Sequence, residues 1–269
     1  QRVKGGVVEN ATEDLIYEVK DGIGWITFNR PQARNAFTFA MYEGVAEICR
    51  NAGRGEAVSA IVMCGAGEKA FAAGTDIGQF KDFSTAEDAF AYEDNGNRMM
   101  ADIESCPVPT IAAIHGACTG GGAAVAASCD IRLTAADLKF GFPIARTLGN
   151  CLSNENLRRL SWIVGPARVS EMLLTARLVG AEEARAIGLV SEVLPDRDAV
   201  MARATEMAET MKGHAPITMR VTKEALRRLR TSGAVPEDRD LIEAAYTSAD
   251  FREGMSAFLE KRRPNWQNR

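Results

Sequence analysis

Thr119-Gly120-Gly121-Gly122-Ala123-Ala124 is the stretch on which the reading of this chain turns. Before it, Pro109-Thr110-Ile111-Ala112-Ala113-Ile114 is an apolar run of strand length. After it, Ala123 to Ser128 is small and helix-forming. Three glycines let the backbone turn sharply, and a ligand can approach them without Cβ obstruction. The turn also leaves free N–H groups at a helix N-terminus, where the dipole favours negative charge. Such a junction can hold an oxyanion.

The same strand-to-helix pattern recurs outward from this point. Leu15–Val19 and Gly24–Phe28 alternate like two paired strands joined by Asp21-Gly22. A helix is expected over 38–52, a strand over 60–64, a helix from 86 to 105 and a strand over 110–114. A strand follows at 131–134 and a shorter one at 139–141, and from Asn154 the pattern is helical apart from Leu189–Val193. Strands alternating with helices, then helices alone, give an α/β class. A second glycine turn lies in Lys69-Ala70-Phe71-Ala72-Ala73-Gly74-Thr75-Asp76-Ile77. A helix is expected near Asp76, capped by its carboxylate, which leaves the Thr75 N–H exposed at another junction. Two such N–H groups can serve one oxygen if the fold brings the turns together.

The 269 residues are 46% hydrophobic and 25% charged, a globular balance with ample core. A net charge of −4 gives no general attraction to nucleic acid or anionic membrane. No apolar run is long enough to span a bilayer, and the polar N-terminus has no signal-peptide pattern. The six cysteines form no Cys-x-x-Cys pair and only two histidines are present, so no metal site is expected. The cysteines read as small buried hydrophobes in a reducing, cytoplasmic setting. His115, at an apolar strand end, reads as a core histidine bonded to backbone, and His214 as a linker residue. Arg220, Lys223, Arg227, Arg228 and Arg230 form a basic helical stretch. A solvated face beside Glu224 is the favoured reading, with nucleic-acid binding as the weaker alternative and no aromatic stacking set to support it.

Taken in order, several motifs resemble the enoyl-CoA hydratase/isomerase family, the crotonase superfamily, over residues 14–266. They are Ile26-Thr27-Phe28-Asn29-Arg30-Pro31 with Arg34-Asn35-Ala36, then Phe71-Ala72-Ala73-Gly74-Thr75-Asp76. Next come Ile114-His115-Gly116-Ala117 with the glycine run, and Cys129-Asp130-Ile131-Arg132. Phe140-Gly141-Phe142-Pro143, Gly188-Leu189-Val190 and Glu253 to Arg262 complete the set. The resemblance implies a spiral of ββα units with a C-terminal helical trimerisation region. The expected divisions are an N-terminal segment 1–13, a spiral core 14–200 and a helical oligomerisation region 201–269. It also implies an acyl-CoA thioester substrate, no tightly bound cofactor and a homotrimer or dimer of trimers. By motif position, Thr75 and Gly121 supply the two oxyanion N–H groups. Ala33, Arg34, Lys69, Ala73 and Asp76 fall where the family contacts CoA, and Phe258 and Lys261 where it approaches the adenine.

One departure from the family's pattern stands out. The family's hydratases use two glutamates, and at those positions this chain has Ala124 and Ile144. The segment from Ala145 to Asn154 is one residue longer than usual, yet no acidic residue lies between Pro143 and Asn154. Arg146, Thr147, Asn150, Cys151, Asn154 and Glu155 fall in the loop that, by the resemblance, closes over the acyl group. The expected function is therefore acyl-CoA processing through a stabilised thioester enolate, with the proton-transfer groups unassigned. Isomerisation, decarboxylation, thioester hydrolysis and non-catalytic CoA binding are the alternatives.

Overall fold

The computed structural model describes residues 12–53, 58–80, 85–233 and 239–269. Of the expected N-terminal segment 1–13, residues 1–11 lie outside that set. Strands β1 (Leu15–Lys20) and β2 (Ile23–Phe28) pair antiparallel, with Leu15 opposite Phe28. Asp21 and Gly22 connect them at φ 52° and 75°, the left-handed pair that a two-residue hairpin requires.

After α1 (Phe39–Asn51) the chain runs through β3 (Ala60–Gly65), β4 (Ala70–Ala73) and α2 (Ala86–Glu104). That order repeats as β5 (Thr110–Ile114), β6 (Ala117–Thr119) and α3 (Gly121–Ser128), then as β7 (Ile131–Ala135), β8 (Lys139–Gly141) and α4 (Ile144–Thr147). Helices α5 (Asn154–Val164), α6 (Pro166–Thr175) and α7 (Ala181–Ala186) lead to β9 (Glu192–Leu194). Helices α8 (Arg197–Lys212), α9 (Pro216–Thr231), α10 (Arg239–Tyr246) and α11 (Ala249–Glu260) follow. The first strand of each unit joins a sheet of order β1-β2-β3-β5-β7-β9, and the second joins a parallel sheet β4-β6-β8. Each ββα unit thus advances one strand in both sheets, which makes a spiral.

Burial follows the pleat. In β3, Ile61 and Met63 face the large core between the sheets, while Ala60, Val62 and Cys64 face the other side. There Val200, Ala204 and Ala208 of α8 cover the sheet. Both faces are dry, so β3 and β5 are continuous apolar runs rather than alternating ones. Helix α3 is buried nearly all round, which its small residues permit. A Cβ on Gly122 would stand 2.2 Å from the Ala72 carbonyl oxygen, so glycine is required for this helix to lie against β4.

Two expectations change. The helix near Asp76 is a single 3₁₀ turn, Ile77–Phe80. The strand expected at Leu189–Val193 is β9 at Glu192–Leu194. Leu189 and Val190, each 2% exposed, are apolar because they plug the core after Gly188 and not because they pair.

The basic stretch lies on α9, and its cations are engaged within the chain. Lys223 pairs with Asp130, and Arg227 and Arg228 pair with Glu224. Arg230 and the buried Arg159 share Glu104, tying α2, α5 and α9 together. Arg220 donates to Asn268. No array of free cations is left to favour the nucleic-acid reading.

Candidate active site

The two glycine turns meet. A Cβ on Gly120 would lie 3.2 Å from the Gly74 Cα, and one on Gly121 would lie 3.0 Å from Thr75 Oγ1. Gly74 and Gly120 take φ of 86° and 52°, conformations that aim each following N–H out of its strand. Among the described residues, neither the Thr75 nor the Gly121 N–H donates to a backbone carbonyl.

The turn at 73–76 is held by the loop after β2. Ala73 N–H donates to the Arg34 carbonyl (3.0 Å), Phe37 N–H to the Gly74 carbonyl (2.9 Å) and Asp76 N–H to the Phe37 carbonyl (2.8 Å). Asn35, fully buried, fixes that loop from inside. Its amide donates to the carbonyls of Ala66 (2.9 Å) and Ala70 (2.8 Å), and its oxygen accepts from Arg30 N–H (3.0 Å). Leaving any of these unmade in the core would cost about 1–3 kcal/mol. Arg30 bridges to Asp76 at 2.9 Å, and Asp76 accepts from Gly78 N–H at 3.0 Å, so it does cap the short turn that follows it.

A cavity of about 540 Å³ opens in front of these turns. Thr75, Gly121 and Ala73 line it, as do Ala124 and Ile144. Phe39, Phe80, Met99, Met100 and Phe142 make most of the wall apolar or aromatic. Tyr42, stacked on Phe37 at 4.6 Å, shares a hydroxyl hydrogen bond with Thr75 (2.9 Å). Tyr92 of α2 reaches the same Thr75 hydroxyl at 3.3 Å. Burial, with Tyr92 and Glu93 adding, pushes the Tyr42 phenol far above its ordinary range; burial likewise raises Tyr92. Both therefore stay neutral and act as hydrogen-bonding groups. Glu93 also lines the cavity, and burial raises its carboxyl above the usual range.

Family comparisons place this arrangement. The family model described as Enoyl-CoA hydratase/isomerase matches residues 18–269. The chain belongs to the enoyl-CoA hydratase/isomerase family. A short-chain-enoyl-CoA hydratase of Clostridium acetobutylicum is 31% identical over 253 residues, covering 93% of this chain and 96% of that protein. A 2,3-dehydroadipyl-CoA hydratase of Escherichia coli is 30% identical, covering 95% and 99%. The crystal structure of an enoyl-CoA hydratase/carnithine racemase from Magnetospirillum magneticum superposes with a TM-score of 0.88 at 34% identity, over 96% of this chain and 97% of that one. The ββα spiral is the crotonase fold of these family members.

Of the described residues expected to contact CoA, Ala73 lines the cavity, while Ala33, Arg34, Lys69, Asp76 and Lys261 do not. Ala33 is half-buried in the loop after β2, and Arg34 and Lys69 are exposed. Lys261 is exposed just past α11 at φ 53°. Phe258 lies in α11, and its side chain is outside the described ones. His115 is buried and its Nε2 lies 3.0 Å from the Gly67 carbonyl, the core role expected of it. Five cysteines are buried, and Cys151 is exposed and on the cavity wall. Of the loop residues, Ile144, Thr147, Asn150 and Cys151 line the cavity while Arg146 does not, and Glu155 pairs with Arg158 in the first turn of α5. Among the described residues no cluster of three or more metal-ligating side chains exists, and no helix is long and apolar enough to cross a membrane.

The sequence reading passed over Tyr42, Tyr92 and Glu93. Tyr92 and Glu93 fall in Tyr92-Glu93-Asp94-Asn95-Gly96-Asn97, a polar stretch of α2 that reads as solvent-facing. The signal available was Gly96, a helix-interior glycine that costs about 1 kcal/mol against alanine. Nothing lies within 4 Å of where its Cβ would be, so the omission leaves open cavity space and serves no packing contact.

Proposed function

We propose that this family member binds an acyl-CoA thioester and stabilises its enolate, with the thioester oxygen held by the Thr75 and Gly121 N–H groups. The observation that carries this reading is the meeting of two free N–H groups at one cavity in a family of acyl-CoA enzymes. An enolate places its charge on the oxygen those donors would face, and a dry wall strengthens the interaction. The acyl group occupies the apolar pocket. The CoA lies along the loop at 30–35 and the turn at 73–76, with exposed Arg34 and Lys69 available to its phosphates. No tightly bound cofactor is required.

Saturating acyl-CoA is expected to slow amide hydrogen exchange in both segments 30–35 and 73–76. The two are joined by the Ala73 N–H bond to the Arg34 carbonyl and the Arg30–Asp76 ion pair, so immobilising one protects the other. Unchanged exchange in both would remove this placement.

A homo-oligomer, a trimer or a dimer of trimers, is also proposed. Ile242, Tyr246 and Phe251 of α10 and α11 are 50%, 63% and 40% exposed, an apolar set that a neighbouring copy would cover. Leu241, Met255, Phe258 and Leu259, in the same two helices, have side chains outside the described ones. Sedimentation is expected to give a species well above the 29.0 kDa chain mass at micromolar concentration. A lone monomer would refute it.

A further inference from the structure

With Ala124 and Ile144 on the cavity wall, the chemistry proposed above lacks a group to move the proton. The wall offers few candidates. Asp88 is committed to the capping box of α2, accepting from the Thr85 N–H and hydroxyl. Tyr42 and Tyr92 are held neutral and bonded to Thr75. Cys151 lies in an exposed loop. Glu93 is different. It sits on a regular helix, half-buried, one residue after the tyrosine that fastens this turn of α2 to Thr75. The Ser153 backbone, at the start of α5, offsets part of the effect of that burial. Glu93 lines the same cavity as Tyr42, Thr75 and Gly121. One turn further along α2, the bare Gly96 leaves room beside it for a ligand.

We propose that Glu93 is the proton-transfer residue of this protein, acting on the carbon next to the thioester carbonyl of a bound acyl-CoA. This rests on the reading of the cavity as an acyl-CoA site. The Glu93 carboxylate takes the α-proton. The C–H electron pair becomes the enolate double bond, and the carbonyl pair moves onto the oxygen facing the Thr75 and Gly121 N–H groups. The carboxylic acid then returns the proton. Returned to the α-carbon, it leaves the ester unchanged and its hydrogen exchanged. Returned to the γ-carbon of a 3-enoyl ester deprotonated at the α-carbon, it moves the double bond into conjugation. No water is added and no second carboxylate is needed, which suits a cavity where alanine and isoleucine occupy the other two positions. A carboxyl raised by burial is also a better base toward a weak carbon acid than a solvated one.

The test uses butyryl-CoA in D2O, a saturated ester that cannot be hydrated. Calorimetry reads binding, and mass spectrometry reads deuterium at the α-carbon. The full-length protein is expected to bind the ester and exchange its α-hydrogens. Glu93→Gln should bind within a few-fold of the unmodified protein and lose at least about 100-fold in exchange. Glu93→Asp, which keeps the carboxylate, should recover part of the loss. Binding with no exchange by the unmodified protein overturns the proposal, and so does equal exchange by Glu93→Gln. Absence of binding overturns instead the acyl-CoA reading on which it stands.

Discussion

Hydration of crotonyl-CoA by this protein is expected to run at least about 10,000-fold slower than by a hydratase with two catalytic glutamates. General acid–base groups contribute about 100–10,000-fold each, and the two positions hold Ala124 and Ile144. Both side chains line the cavity in which, on the proposed reading, water would have to be held and activated. Neither accepts a hydrogen bond or moves a proton. Oxyanion donors alone stabilise charge on the thioester oxygen, but they do not deliver hydroxide to the β-carbon. Glu93 adds one carboxyl on the α2 side, sufficient for shuttling a proton and short of the pair that orients and splits water. Steady-state loss of the conjugated thioester absorbance measures the rate. Turnover on the order of 10 per second, an ordinary enzyme rate, would show that the two positions are misassigned.

The fold was legible wherever a local rule determined it. Asp21-Gly22 specified the β1–β2 hairpin because only left-handed residues close a two-residue turn. The glycine run specified the β6–α3 junction because Gly122 must lie against Ala72. Sheet membership was not legible. Apart from Thr110, β3 and β5 carry no polar side chain, so their pattern does not say that alternate residues feed two different cores. Leu189-Val190 misled for the same reason, since core plugs and buried strands are equally apolar. At the site, the glycine turns that bring Thr75 and Gly121 to the cavity were legible because the sequence displays them. Glu93 was missed because its burial comes from packing distant in sequence. The stretch of α2 that carries it is polar, and the rest of the cavity it lines comes chiefly from α1, the two glycine turns and residues 142–156. No periodicity within residues 86–104 encodes that.

Gly121→Ala is expected to lower butyryl-CoA α-hydrogen exchange by about 100–1000-fold, the loss that follows removal of one oxyanion donor. The reason is steric. A Cβ at that position would stand 1.7 Å from the Tyr42 hydroxyl oxygen and 3.0 Å from Thr75 Oγ1. Tyr42 cannot swing aside, because it is 5% exposed and its ring stacks on the buried Phe37. Either its hydrogen bond to Thr75 breaks, or the start of α3 moves and carries the Gly121 N–H off target. Both routes misplace a donor, and crowding of this kind costs about 1–3 kcal/mol of stability. Adding Tyr42→Phe removes the clashing oxygen and leaves Tyr92 as a partner for Thr75. The double variant should therefore regain stability relative to Gly121→Ala alone, giving a favourable coupling in a double-mutant cycle. Exchange should recover with it, because the backbone at 121 returns to its place. Undiminished exchange in Gly121→Ala would exclude its N–H as an oxyanion donor. Recovery of stability without recovery of exchange would place the Tyr42 hydroxyl itself in the chemistry, aligning Thr75 for the oxygen it faces.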